Sequence, residues 1–339
     1  MARSADLLSD LALSRATLDR SGLERRDDRL IERLLADPAT RVLELRGDRA
    51  PVRPGRRPGS AVTHASAVPA PASAQGPALH LRLRSPLADD SAGVVLFAGR
   101  DARGTAHLGV ALPRDLAAGA DRGPDLPGQD GWLNLRQAAA GLDDQDAGLF
   151  TTVLALANWH ATHTHCPRCG TPTVPTQGGW LRRCPSDESE HYPRTDPAVI
   201  MAVVDADDRL LLGRGPLWAE NRFSVLAGFV EPGESFEAAV AREVAEEVGI
   251  AVTDIRYLGN QPWPFPSSVM IGFTSRALDT RLEIDPHELE EARWVTRDDY
   301  AGALRTGAIR PPFGISIAKR IIEHWLGRTV ESVVGSREH

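Results

Sequence analysis

Residues Gly228–Ile250 read GFVEPGESFEAAVAREVAEEVGI, and they hold one spaced pattern: G-x5-E-x7-R-E-U-x-E-E-x-G-U, where U is aliphatic. Gly228, Glu234, Arg242, Glu243, Val244, Glu246, Glu247, Gly249 and Ile250 fill every specified position. The pattern predicts a helix from Ser235, as N-cap, to Val248, stopped by Gly249. At about 100° per residue, Phe236, Ala239, Val240, Val244 and Val248 form one apolar stripe. Glu243 and Glu247 fall inside that stripe and Glu246 lies at its edge. Like charges at i, i+3 and i+4 repel, and burying them is costly without compensation. Arg242, four residues before Glu246, answers one carboxylate and the others call for a cation. Oxygen donors with no neighbouring His or Cys suit Mg²⁺ or Mn²⁺. A lone E-x-x-E-E would read as an ordinary solvated acidic face. The full frame, with carboxylates on the apolar side, does not.

The rest of the chain limits what such a helix can serve. It has 339 residues, 42% hydrophobic and 25% charged, as in soluble globular proteins. A net charge of −7 excludes a global basic field, so duplex DNA is not an expected partner. No apolar run is long enough for a membrane span, and the N-terminus lacks a signal-peptide core. Three cysteines make no disulfide framework, which suits a reducing, cytoplasmic setting.

The chain is expected to be α/β in three parts: a small α+β domain over 1–163, a cysteine module over 164–195, and a catalytic domain over 196–326. A polar, loose tail over 327–339 follows. In the first part, 27–35 and 143–163 read as helices; 41–45, 79–83, 93–98 and 107–112 read as strands. Two stretches rich in Pro, Gly and small residues, 51–78 and 119–131, read as loops. In the third, 198–204 and 210–212 read as a hairpin. Strands at 255–258, 269–275 and 292–295 follow, then helices at 296–304 and 315–325.

The cysteine module carries Cys166-Pro-Arg-Cys169 and, after fourteen intervening residues, Cys184. Two thiolates on a C-x2-C turn converge on one tetrahedral ion. The second knuckle is incomplete, with Asp187 where a fourth Cys is expected and His191 as the other nearby donor. Zinc on three Cys plus Asp187 or His191, a metal-free remnant and a redox C-x-x-C all remain open. Arg182, Arg183 and Arg194 make a basic trio there that could meet an RNA backbone or simply be solvated.

Eleven residues beyond Ile250 lies Gln261-Pro262-Trp263-Pro264-Phe265-Pro266-Ser267-Ser268. Three prolines among two aromatics exclude a helix or central strand and make a stiff loop displaying Trp263 and Phe265. With the box, this segment resembles the NADH pyrophosphatase branch of the Nudix hydrolases, including its NAD-capped RNA hydrolases; Asn260 replaces the leading Ser of the branch motif. The resemblance implies a Nudix α/β/α sandwich with a mixed sheet, preceded by a zinc-ribbon-like module. It implies metal-dependent cleavage of the pyrophosphate bond of NADH or NAD, and removal of NAD caps from RNA 5′ ends. It implies Mg²⁺ or Mn²⁺ on Glu243, Glu246, Glu247, Glu288 and the Ala227 carbonyl, with these glutamates catalytic. Substrate contacts fall to Arg136, Tyr192, Phe229, Gln261 to Ser268 and Ala318, and a homodimer is implied. Gly179 departs from the pattern, standing where some members carry a substrate-contacting Glu. A Nudix hydrolase of ADP-ribose is the alternative. A non-enzymatic ligand-sensing regulator is disfavoured because every box carboxylate is present.

Overall fold

The computed structural model describes residues 7–8, 11–55, 79–112 and 131–335. Most of the first Pro-rich stretch, nearly all of the second and residues 336–339 fall outside that set. The described residues form two compact units. One holds Arg15–Arg194 with Pro264–Ser267; the other holds the residues up to Ser14, Thr195–Trp263 and the chain from Ser268 onward.

The first unit is α+β. Its elements begin with helix α1 (Leu30–Ala36) and strands β1 (Arg41–Arg46), β2 (Arg49–Pro54), β3 (Leu79–Leu81), β4 (Val94–Arg100), β5 (Ala106–Leu112) and β6 (Gly131–Asn134). The sheet runs β3-β2-β1-β5-β4, with β6 also on β2 and only β1/β5 parallel among these pairs. After the short helix α2 (Leu135–Ala138), helix α3 (Asp144–Thr162) covers the sheet. Asp143 caps α3 by accepting from the Asp146 N–H, and Leu149, Val153, Leu156 and Trp159 are buried as the sequence requires. Gly109 of β5 lets α3 come close, since a Cβ there would overlap Val153.

Strands β7 (Val174–Thr176), β8 (Leu181–Arg183) and β9 (Glu190–His191) make the small sheet of the cysteine module. The sequence divides the chain at residue 163, but packing joins this module to α3. Arg182 is buried, donating to Thr173 Oγ1 (2.7 Å), the Thr173 carbonyl (2.6 Å) and His160 Nδ1 (2.8 Å). His160 Nε2 donates to the Gly179 carbonyl at 2.8 Å. Burial, with Arg182 adjacent, pulls this imidazole down to about 4 and keeps it neutral. Arg182 is therefore no surface cation: its charge is spent inside the unit.

The second unit is the predicted sandwich. Strands β10 (Asp196–Val204), β11 (Leu210–Arg214) and β12 (Leu226–Phe229) precede helix α4 (Phe236–Val248). Strands β13 (Val252–Trp263), β14 (Ser268–Ala277) and β15 (Glu291–Val295) and helices α5 (Arg297–Thr306), α6 (Ile317–Leu326) and α7 (Val330–Gly335) follow. The mixed sheet runs β13-β14-β10-β11-β15, with β12 also on β10 and β10/β14 parallel. Alternate residues of β10 bury opposite faces. Val199, Met201 and Val203 pack with Val240, Val244 and Val248 of α4; Ile200, Ala202 and Val204 pack with Ile321 and Ile322 of α6.

Three expectations are corrected here. The Pro-rich segment is half strand, because Gln261, Pro262 and Trp263 pair with Met270, Val269 and Ser268. Only Pro264–Ser267 form the turn. β13 is an edge strand, where a proline breaks no ladder on its open side. Phe236, expected in the apolar stripe, is 42% exposed and lines an open cavity with Tyr257, Asn260 and Phe273. The tail is not loose through 335: α7 buries Val330 and Val333, and Glu323 Oε1 accepts the Val330 N–H at 2.9 Å.

Candidate active site and cysteine cluster

Helix α4 carries the box glutamates, and its ends are built as expected. The Ser235 hydroxyl accepts the Ala238 N–H, and Gly249 stops the helix in the left-handed region at φ 73°. β12 brings Ala227, Gly228 and Phe229 alongside β10, with Gly228 over Glu243. A Cβ at Gly228 would overlap the Glu243 carboxyl, so the box glycine makes room for a carboxylate. Gly228→Ala is expected to displace that carboxylate and lower kcat by about 10-fold or more, with a Tm change of only a few degrees. Parallel losses of thermal stability and turnover would contradict this.

Arg242 is the hub. It donates to Glu234 (2.6 and 3.1 Å), Glu243 (2.9 Å), Glu246 (2.9 Å) and the Phe229 carbonyl (2.9 Å). The sequence assigned it one carboxylate; it serves three. Glu234 also accepts the Glu231 N–H at 2.7 Å, which ties the loop between β12 and α4 to the helix. The Arg242 guanidinium holds Glu234 below the usual carboxylate range.

Glu247 is buried and has no cationic partner among the described residues. Burial, reinforced by Glu243 and Glu288, pushes its carboxyl up to about 8. Burial also raises Glu243, against the pull of Arg242. Glu246 and Glu288 are exposed. The site is thus a partly buried patch of excess negative charge. Among the described residues, the two groups of potential ligands within 4.8 Å of one another lie elsewhere, so these carboxylates share a face without converging that tightly.

The expected substrate residues fall into both units. In the second, Phe229 is 61% exposed and beside the box on β12. Gln261 is fully buried, donating from Nε2 to the Ile315 carbonyl at 2.9 Å, with Oε1 unsatisfied. Ala318 is buried on α6, whose N-cap is Ser316. Pro262 is exposed, and Trp263 and Ser268 are partly buried. In the first, Asn158 donates to the carbonyls of Pro264 (3.0 Å) and Pro266 (3.2 Å). The Arg136 guanidinium lies 4.2 Å over the Phe265 ring, and Ser267 is partly buried. Tyr192 is 66% exposed, with its hydroxyl donating to Glu190 at 2.7 Å. Gly179 is buried at φ 86°, and a Cβ there would meet Leu96 at 2.6 Å, so this position supplies no contact group. The role of Asn158 as clamp of the turn carries no sequence signal: it is one polar residue among many on a long helix.

The cysteine module brings Cys166, Cys169, Cys184 and Asp187 together, each offering one atom within 4.8 Å of the others. Cys169 and Cys184 sulfurs are 3.5 Å apart and unbonded, and Cys166 Sγ lies 3.5 Å from Asp187. His191 stands outside that group, with Nε2 3.0 Å from the Ser189 hydroxyl. The second group, His80, Asp143 and Asp146, is already engaged: Asp143 caps α3 and Asp146 accepts the Leu81 N–H.

Known families match both parts. The NUDIX domain matches residues 194–313, and the NADH pyrophosphatase zinc ribbon domain matches 161–192. The chain is 42% identical over 248 residues to the NAD-capped RNA hydrolase NudC of Mycobacterium bovis, covering 70% of this chain and 77% of that protein. This chain belongs to the NAD-capped RNA hydrolase family of Nudix hydrolases. The Mycobacterium tuberculosis protein of the same name matches to the same extent. The human NAD-capped RNA hydrolase NUDT12 is 41% identical over 197 residues, 55% of this chain and 43% of that protein. The family assignment agrees with a box in which every carboxylate is present, and it makes the chain a hydrolase. Among the described residues no helix is long and apolar enough to cross a membrane.

Proposed function

We propose that this chain hydrolyses the pyrophosphate bond of NADH and NAD to a nicotinamide mononucleotide and AMP. We infer that it also removes NAD caps from RNA 5′ ends by cutting the same bond. The observation that carries the reading is Glu247: a buried carboxylate without a cationic partner among the described residues, beside Glu243 and near the charge of Glu288. The Gln261–Ser268 segment and the named activity of the relatives support the dinucleotide as substrate.

In this reading Glu243, Glu246, Glu247 and Glu288, with the Ala227 carbonyl, hold Mg²⁺ or Mn²⁺. The bound ion supplies charge neutralisation at the phosphates and a lowered pKa for water. Arg242 orients Glu243 and Glu246, and Glu234 holds Arg242 in place. A glutamate of this set takes the proton of the attacking water; the remaining carboxylates hold position. Phe229 and Tyr192 stack on the substrate's rings. Arg136, Ala318 and the Gln261–Ser268 segment fix its orientation.

Residues 164–195 are taken as a zinc module, with Cys166, Cys169, Cys184 and Asp187 as ligands, and 196–326 as the catalytic domain. A structural zinc there implies about one zinc per chain, and fewer than about 0.2 would sink the zinc reading. Cys184→Ser is expected to lose the metal and to lower the Tm, measured by elemental analysis and thermal melting. A cytoplasmic homodimer is proposed from the family resemblance. The testing experiment compares kcat/KM for NADH, ADP-ribose and NAD-capped RNA with Mg²⁺ and with Mn²⁺. A clear preference for ADP-ribose over both NAD substrates would overturn the assignment.

A further inference from the structure

The loop 215–222, between β11 and β12, carries three features that the box does not use. Leu217 is 98% exposed and Trp218 37% exposed, and Arg222 lies over two aromatic rings. Its guanidinium lies 4.7 Å from the Trp218 ring and 4.7 Å from the Phe313 ring, itself 49% exposed. The loop is held, not loose. The Arg310 N–H donates to the Asn221 carbonyl at 2.6 Å, and Asn221 Nδ2 donates to the Gly307 carbonyl at 3.1 Å.

Two contacts tie the stack's chain neighbours to segments of the same unit that carry site residues. Arg214, one residue before the loop, pairs with Glu290 at 2.7 Å, two residues beyond Glu288. Phe313 lies two residues before Ile315, whose carbonyl receives Gln261. Arg222 joins no ion pair and makes no side-chain hydrogen bond among the described residues. An arginine held over aromatic rings and without a carboxylate partner is suited to a phosphate. Partly exposed rings such as Trp218 and Phe313 suit a nucleobase.

We propose that Trp218, Arg222 and Phe313 form a stacking platform for the unpaired RNA nucleotides that follow an NAD cap, with Arg222 on a backbone phosphate. This rests on the NAD-cap reading above. The platform would supply the phosphate contact that the sequence offered to Arg182, which is buried.

The test compares wild type, Trp218→Ala, Trp218→Phe and Arg222→Gln on NADH and on an NAD-capped single-stranded RNA of ten nucleotides. For Trp218→Ala, KM for the capped RNA is expected to rise about 5- to 150-fold, the range of one lost base stack, and for Arg222→Gln by about 5-fold or more. Their NADH kinetics are expected to stay within about 2-fold of wild type, and Trp218→Phe is expected to retain most RNA affinity. Unchanged RNA kinetics, or equal losses on both substrates, would overturn the platform while leaving the NAD-cap reading in place. Wild type that cleaves NADH but not the capped RNA would overturn both. A shift from dimer to monomer in Trp218→Ala by sedimentation, with both activities reduced, would make the surface a protein interface and overturn the platform.

Discussion

Glu247→Gln is expected to lose at least about 10²-fold in kcat with the fold intact, because the change removes a buried negative ligand and keeps the shape of the side chain. It should also change stability in a direction opposite to ordinary active-site damage. In the metal-free protein the Glu247 carboxyl sits at about 8 against an ordinary 4.5, because it is buried and faces Glu243 and Glu288. Its folded value is raised, so the folded state binds the proton more tightly. Stability is therefore lost as pH rises from about 4.5 to about 8, by a few kcal/mol at most. Metal-free wild type should melt lower at pH 8 than at pH 6 relative to Glu247→Gln, and Mg²⁺ or Mn²⁺ should recover more at pH 8. Near-normal turnover by the variant, or a metal effect independent of pH, would refute this role.

Arg242→Met carries the other large effect. Arg242 binds Glu234, Glu243, Glu246 and the Phe229 carbonyl, and its aliphatic stem is partly buried. Removing the guanidinium leaves the Glu234 and Glu243 carboxylates without compensation, while Glu246 is already in water. Breaking such a cluster lowers the denaturation midpoint measurably, by less than the loss of a fully buried pair because its members are partly exposed. The loop between β12 and α4 loses its anchor to the helix, so kcat should fall by about 10²-fold as Glu243 moves. Excess divalent metal should restore part of the stability, since it supplies the missing positive charge. Chemical denaturation with and without Mn²⁺ measures both, and a variant as stable as wild type would contradict the hub.

The site was legible where a periodic rule applied. Helical spacing put Glu243 and Glu247 on the apolar face of α4, and both are buried or half-buried there. Ser235 and Gly249 marked the helix ends because capping is local. The same periodicity failed at Phe236, in the first turn, where the face opens onto a cavity instead of the core. Arg182 read as a solvated or RNA-facing cation because the partners that bury it, His160 and Thr173, lie on separate elements. Prolines 262, 264 and 266 argued against a central strand: Pro262 lies in an edge strand, which tolerates it, and Pro264 and Pro266 lie in the turn. α7 was missed because two valines three residues apart in a polar segment give too weak a stripe to read.

The most direct measurement is chromatography of NADH incubated with the pure protein, with Mn²⁺ and with EDTA. The account requires equal amounts of AMP and reduced nicotinamide mononucleotide with Mn²⁺, and intact NADH in EDTA. Intact NADH in both, products from cleavage at another bond, or equal turnover without metal would contradict it.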